Sequence, residues 1–185
     1  LRHQIGGPEA FYLGQLWWRI ATTIKLKRNL TLHTTLGFDI YNTFKDFSNP
    51  SQSNIPHVRS DIQDYLAEGK NNIARMKIDY LWSPRKDLFA RIDLGYLEEM
   101  FGGFGGEIYY RPFNKKFSTS LSLHHVGQRA YDQKLGFKDY RTETGHLGLY
   151  YDLPNQIHSQ FLFGKYLAGD IGGTIDLSRR FKNGF

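Results

Sequence analysis

The sequence predicts an all-β protein: an antiparallel transmembrane β-barrel of the outer-membrane type, here about nine strands of a larger barrel, with one short helix in a long loop. Three observations carry this. Apolar and polar residues alternate with a period of two over long segments, as in Leu88, Ala90, Ile92, Leu94 and Tyr96 against Arg91, Asp93 and Gly95, which makes a strand with one dry and one wet face. The alternating segments run to roughly 10 residues or more, the length that crosses a bilayer, whereas strands of soluble proteins average about 5 or 6. Finally, the connections between them are alternately short and long, the rhythm of tight periplasmic turns and extended outer loops.

Taken in order, Leu1 to Pro8 reads as irregular, and the first strand runs from about Ala10 to Leu26, with Leu16, Trp18, Ile20 and Ile24 opposite Gln15, Arg19, Thr23 and Lys25. The second, Leu30 to Tyr41, sets Leu30, Leu32, Leu36, Phe38 and Ile40 against Thr31, His33, Thr35 and Asp39. A loop over 42–71 is rich in Ser, Asn and Pro, and within it Ser60-Asp61-Ile62-Gln63 has the form of a capping box. The helical spacing of Ile62, Tyr65 and Leu66 before Gly69 predicts one short amphipathic helix there. Strand three (Ile73 to Trp82) alternates Ala74, Met76, Ile78, Tyr80 and Trp82 with Arg75, Lys77 and Asp79. Strand four starts at Leu88, Glu98 to Gly106 reads as a flexible glycine-rich loop, and strand five is Glu107 to Arg111. Strand six (Phe117 to Val126) precedes a charged loop over 127–141. Strands seven (Thr142 to Leu153), eight (about Ile157 to Tyr166) and nine (Ile171 to Phe181) complete the chain, which stops in a turn-like Lys182-Asn183-Gly184.

Nine is an odd number, a bacterial single-chain barrel normally has an even one, and the chain starts at Leu1 rather than Met. Residues 1–185 therefore read as a fragment, part of one barrel domain of a longer chain. No run approaches the ~18 to 20 apolar residues of a membrane-crossing helix. The mean hydropathy of −0.51 is compatible with a barrel, whose lumen and loops are polar. Aromatics make up 16% of the chain, and on the apolar parity Tyr80, Trp82, Tyr110, Phe117, Tyr151 and Phe181 cluster beside the short turns, where an interfacial girdle would lie. The absence of Cys excludes disulfides and thiolate metal sites. A net charge of +6 favours an anionic partner, and Lys25, Lys27, Arg28, Arg85, Lys86, Lys115, Lys116, Arg179, Arg180 and Lys182 gather near the short turns. They suit anionic lipid head groups or an acidic periplasmic partner.

Candidate site residues are the charges at mid-strand on the wet face: Arg19, Asp39, Arg75, Lys77, Asp79, Arg91, Asp93, Glu107, Arg111, Asp176 and Arg180. Mixed signs suit a mutually neutralising network inside a barrel; the functional reading is a path for a polar, sugar-like substrate. His124 and His146 share the wet parity, but no third ligand is evident and no metal is expected. Ser122 lies two residues from His124, without a nucleophile elbow or other motif, so a hydrolase is the weakest reading. Gly102 to Gly106 lacks the Lys-Ser/Thr and the helix of a phosphate loop. No catalytic residue and no cofactor is expected. A soluble carbohydrate-binding β-sandwich is the runner-up, since it too would alternate.

Several stretches together resemble one family. They include Pro56-His57-Val58-Arg59-Ser60-Asp61-Ile62, Tyr65-Leu66-Ala67-Glu68-Gly69, Asp79-Tyr80-Leu81-Trp82 and Gly95-Tyr96-Leu97-Glu98-Glu99-Met100-Phe101. Tyr110-Arg111-Pro112-Phe113, Gly136-Phe137-Lys138-Asp139-Tyr140, Tyr150-Tyr151-Asp152-Leu153-Pro154 and Leu177-Ser178-Arg179-Arg180-Phe181 continue the pattern. The ensemble resembles the YjbH family of exopolysaccharide and group 4 capsule outer-membrane proteins. The resemblance implies a longer parent chain, a lipid-embedded barrel and a non-enzymatic role in secreting or assembling polysaccharide. It also implies periplasmic and lipoprotein partners of the same export system, and no nucleic acid.

Overall fold

A computed structural model describes residues 2–5, 11–46 and 54–181. Its strands are β1 (Arg2–Ile5), β2 (Tyr12–Lys27), β3 (Leu30–Asn42), β4 (Asn71–Arg85), β5 (Leu88–Tyr96), β6 (Phe101–Tyr110), β7 (Phe117–Arg129), β8 (Phe137–Leu153), β9 (Ile157–Lys165) and β10 (Ile171–Arg179). One helix, α1 (Ile62–Glu68), lies between β3 and β4. The ten strands form a single antiparallel sheet in strict sequence order, β1 to β10. The sheet is open: β1 and β10 are its edges, the arrangement of part of a barrel.

The register explains why alternation was so clear. Trp18 faces Phe38, Leu32 faces Ile78, Ile78 faces Leu94, Leu94 faces Phe104, Leu121 faces Leu147 and Leu149 faces Phe161. Apolar side chains therefore form one continuous outer surface, where Ile92, Leu121 and Leu149 are each about half exposed at 51%, 50% and 51%. No second sheet packs on it among the described residues.

Connections at 28–29, 86–87, 111–116 and 154–156 lie at one end of the sheet and the described parts of 43–70, 97–100, 130–136 and 166–170 at the other; because 97–100 and 166–170 are shorter than 111–116, the expected alternation of short and long holds only in part. The Pro154–Gln156 connection is a 3-10 turn with Asn155 and Gln156 at positive φ. Differences from the alternation pattern are local. Arg2–Ile5 pairs with Leu13-containing β2 as a strand, so the sheet has ten members. Phe101 to Gly106 is strand rather than loop: Gly102, Gly103, Gly105 and Gly106 pair with β7 through Gly127, Val126, His124 and Leu123. Glycines there mask an alternation that Phe104 and Ile108 share on the outer face. The 127–141 loop shrinks to 130–136 because β7 runs to Arg129 and β8 starts at Phe137. The turn expected at Lys182 to Gly184 lies outside the described residues.

The buried core sits at the long-loop end, not at mid-sheet. Tyr65, Met100, Phe101 and Val126 form its main cluster, and Leu13, Phe44 and Leu66 a second. Phe101 and Val126 lie on the inner parity of β6 and β7, so α1 packs across the inner face there. The helix starts at Asp61 with no side-chain cap. The expected capping box fails because the helix begins one residue beyond Ser60, with Asp61 as its N-cap, and Asp61 is spent elsewhere: it accepts from Tyr131 Oη at 2.7 Å and pairs with His57 Nδ1 at 2.7 Å.

Candidate functional site

The inner face carries the charges. At its centre the register places Asp79 beside Asp93, Arg91 beside Glu107, and His33 beside Lys77. Two adjacent carboxylates repel, and Lys77, Arg91 and two histidines enclose them. Lys77 Nζ contacts Asp79 at 2.8 Å and His33 Nε2 lies 3.1 Å from the same carboxylate. Arg91 reaches Asp93 at 3.6 Å and Glu107 at 3.2 Å, while His124 Nε2 lies 3.4 Å from Asp93. Asp79 and Asp93 are only 5% and 3% exposed, so these two carboxylates meet their neighbours rather than bulk water, while the Arg91 side chain keeps 38% exposure. A carboxylate removed from water persists as a charge only when paired and hydrogen-bonded. The central charges accordingly neutralise one another.

Toward the long loops, Asp39 accepts from Gln15 Nε2 at 2.5 Å and Asn42 Nδ2 at 2.8 Å. Arg75 donates from Nε to the Leu97 carbonyl at 3.1 Å. Arg19 and Arg75 share a cavity of about 480 Å3 with Arg59, Glu98 and Glu99. Arg59 grips the Glu98 carboxylate through two bonds of 2.8 and 3.0 Å, and Arg2 on edge strand β1 is paired with Glu99. That contact, between a strand and a connection four strands away, shows how strongly the sheet curls. Trp17, on the inner parity, stacks under Arg2 at 4.3 Å with Arg19 at 5.8 Å.

At the short-turn end the face is different. A cavity of about 390 Å3 is lined by Tyr109, Tyr150, Arg111, Lys115, Lys116, Asp152, His158, Gln160, Asp176 and Arg180, among others. Tyr109 and Tyr150 meet edge to face with centroids 5.7 Å apart, and Phe89 adds a third ring 6.5 Å from Tyr109. Tyr109 Oη shares a 2.7 Å hydrogen bond with Ser118 Oγ, and Ser120 Oγ lies 3.2 Å from Tyr150 Oη. His158 Nδ1 sits 2.6 Å from Asp152. Of the sequence-expected charges, Arg111, Asp176 and Arg180 thus meet here, Asp79, Arg91, Asp93 and Glu107 at the centre, and Arg19 and Arg75 beneath the loops. They form three groups, not one site. The outer-face aromatics Tyr80, Trp82, Tyr110, Phe117, Tyr151 and Phe181 sit at the short-turn end, with Tyr80 and Trp82 in contact at 5.3 Å and Phe117 directly opposite Tyr151.

Sequence reasoning missed the inner tyrosines, which fall on the polar parity and look like ordinary strand residues. It also missed Arg129. This side chain is fully buried, donates to the carbonyls of Glu98 (2.9 Å), Glu99 (3.3 Å), Gln133 (2.6 Å) and Lys134 (3.1 Å), and lies 4.3 Å over the Tyr96 ring. Above it, burial pushes the Tyr65 phenol up from its ordinary range. The Tyr131 phenol rises also, first through burial and then through its bond to Asp61. Burial, then the Asp61 charge, raises the Asp64 carboxyl. His124 and His146 are diagonal neighbours in register, but no hydrogen bond joins Ser122 to either. Instead His146 packs against the Tyr166 ring at 4.6 Å. Among the described residues no group of three or more His, Asp or Glu converges as metal ligands.

A family model described as exopolysaccharide biosynthesis protein YbjH matches residues 1–185, the whole chain. The chain belongs to the YjbH family. A relative from Escherichia coli (strain K12), the "uncharacterized lipoprotein YjbH", is 31% identical over 192 residues, covering 100% of this chain and 27% of the relative. The chain thus spans about a quarter of that YjbH relative's length. No solved structure matches.

Proposed function

We propose that the chain is part of an outer-membrane β-barrel domain, within a longer protein, that helps to pass or assemble exopolysaccharide at the bacterial cell outer membrane. One observation carries the reading: a single curled sheet with a continuous exposed apolar outer face and a charged inner face. A sheet of this length in water would need a second layer over its apolar side; a bilayer supplies one, and an aromatic belt beside the short turns suits its interface. The open edges support a larger barrel, since unpaired edge strands require partners. The family's description supplies the polysaccharide.

In this reading the inner charges and rings offer many weak contacts, which let a glycan slide where a few strong ones would hold it. The role is non-enzymatic and needs no cofactor. Outer-membrane lipids contact the apolar face, periplasmic and lipoprotein components of the same export system are the protein partners, and no nucleic acid is involved. The test uses the full-length parent expressed in a bacterium with its signal. It should fractionate with the outer membrane and migrate differently, folded against boiled, on a detergent gel. Soluble recovery without a heat shift would overturn the proposal and favour a carbohydrate-binding soluble sheet.

A further inference from the structure

The central charges of the inner face neutralise one another, whereas those of the short-turn cavity do not. Arg111, Lys115, Lys116 and Arg180 line it with no acidic partner among the described residues, against two carboxylates, Asp152 and Asp176. Asp152 is already engaged by His158 at 2.6 Å. Four cations around one volume repel each other, and an anion between them would relieve that repulsion. In the same cavity the Tyr109 and Tyr150 rings pack edge to face and their hydroxyls are tied to Ser118 and Ser120, so the rings are held in place before any ligand arrives. A volume of about 390 Å3 falls in the range of small-ligand sites.

We infer that this cavity is a subsite for an acidic sugar unit of the exported chain, its carboxylate or other acid group held by Arg111, Lys115, Lys116 and Arg180 and its ring seated on Tyr109 and Tyr150. The inference rests on the polysaccharide reading and names its substrate class. The apolar C–H face of a pyranose ring suits an aromatic ring, and its acid group suits a guanidinium that binds two oxygens at once. A lipid head group shares the acid chemistry, but acyl chains need an apolar trough. The long apolar surface lies on the opposite side of the sheet.

The experiment uses the full-length protein in detergent, with hexagalacturonate as the acidic probe and maltohexaose as a neutral one of equal length, followed by calorimetry. Hexagalacturonate should bind at least about tenfold more tightly, and raising salt to about 1 M, where charge interactions reach only ~3 Å, should abolish the difference. Arg111→Gln and Arg180→Gln should each weaken it about tenfold, the scale of a partly solvated charge-assisted contact. Tyr150→Ala should weaken both sugars, while Tyr150→Phe retains binding. Lys45→Gln, which removes the same charge beside the long loops, should change nothing. Equal affinity for the two sugars, or an equal effect of Lys45→Gln, would overturn the inference. So would short-chain phosphatidylglycerol displacing hexagalacturonate fully, which would assign the cavity to lipid. A folded, heat-shifting protein without acidic preference sinks this inference alone; acidic preference in a protein absent from the outer membrane sinks only the membrane reading.

Discussion

Arg129 is the residue whose replacement says most about how this sheet is held. Among the described residues its guanidinium has no carboxylate partner; it has zero exposure and four carbonyl acceptors, drawn from the β5–β6 connection and the loop after β7. Arg129→Met keeps the volume of the stem and removes every donor. Each acceptor left dry costs about 2 kcal/mol, so the three dry ones cost about 6, and loss of the contact over Tyr96 adds about 1. Against this, a buried cation no longer has to be desolvated, which returns several kcal/mol. Water reaches the Lys134 carbonyl because that residue is exposed, so its cost is smaller. The net expectation is a loss of about 3 kcal/mol, with Arg129→Lys intermediate since an ammonium cannot span four acceptors in a plane. Urea titration of the full-length protein in detergent, read by the folded-to-unfolded band shift, measures it. A change below about 1 kcal/mol, or a gain, would refute the view that this cation organises the loop end.

Three further outcomes are expected. Leu121→Arg, half exposed on the outer face, should cost about 2–4 kcal/mol if lipid covers it but under about 0.5 if water does; the same titration in lipid vesicles decides. Gly164→Ala should destabilise by more than about 2 kcal/mol, because its Cβ would lie 1.8 Å from the Gly145 carbonyl oxygen, whereas Gly173→Ala, with its nearest contact at 3.6 Å, should be neutral in the same titration. Tyr65 holds its proton more tightly when folded than unfolded, so its contribution is complete below pH ~10 and falls above it by about 1.4 kcal/mol per pH unit. Tyr65→Phe should flatten that alkaline limb of stability; an unchanged slope would count against the burial of the phenol.

Alternation made β2 to β5, β7, β8 and β10 readable, and β9 less cleanly, because one face of each is mostly apolar and a one-residue slip would invert it. Where glycine replaces the telling side chains, as from Gly102 to Gly106, the same rule holds but leaves no trace in composition. The short β1 was unreadable for another reason: His3 and Gln4 give no contrast between faces. The candidate charges were visible as a set, yet not their division into three groups. That depends on which strands lie adjacent and how far each extends, as with Asp79 beside Asp93. Arg129 looked like one more loop charge. A buried cation whose partners are carbonyls leaves no acidic residue at a matching spacing to reveal it. The helix at Ile62 followed from its spacing, while the capping box was lost because the helix begins at Asp61 rather than Ser60, with the Asp61 carboxylate bound to Tyr131 and His57 in the folded loops.

The segment around α1 runs as a chord across the arc of the sheet. Leu66 is held by Asn42 at the end of β3, Tyr65 by Arg129 and Gln133 beyond β7, and the His57 carbonyl by Gln128. Such a chord fixes the girth of the long-loop end, since widening there must break several hydrogen bonds together. The opposite end has no equivalent tie among the described residues. If the sheet breathes, it must splay like a fan pinned at its handle, with the largest excursions around Tyr109 and Tyr150. Under the proposed role, a polymer threading this face would then meet a rim that yields first and a collar that does not, giving the two directions of travel unequal resistance without any moving gate.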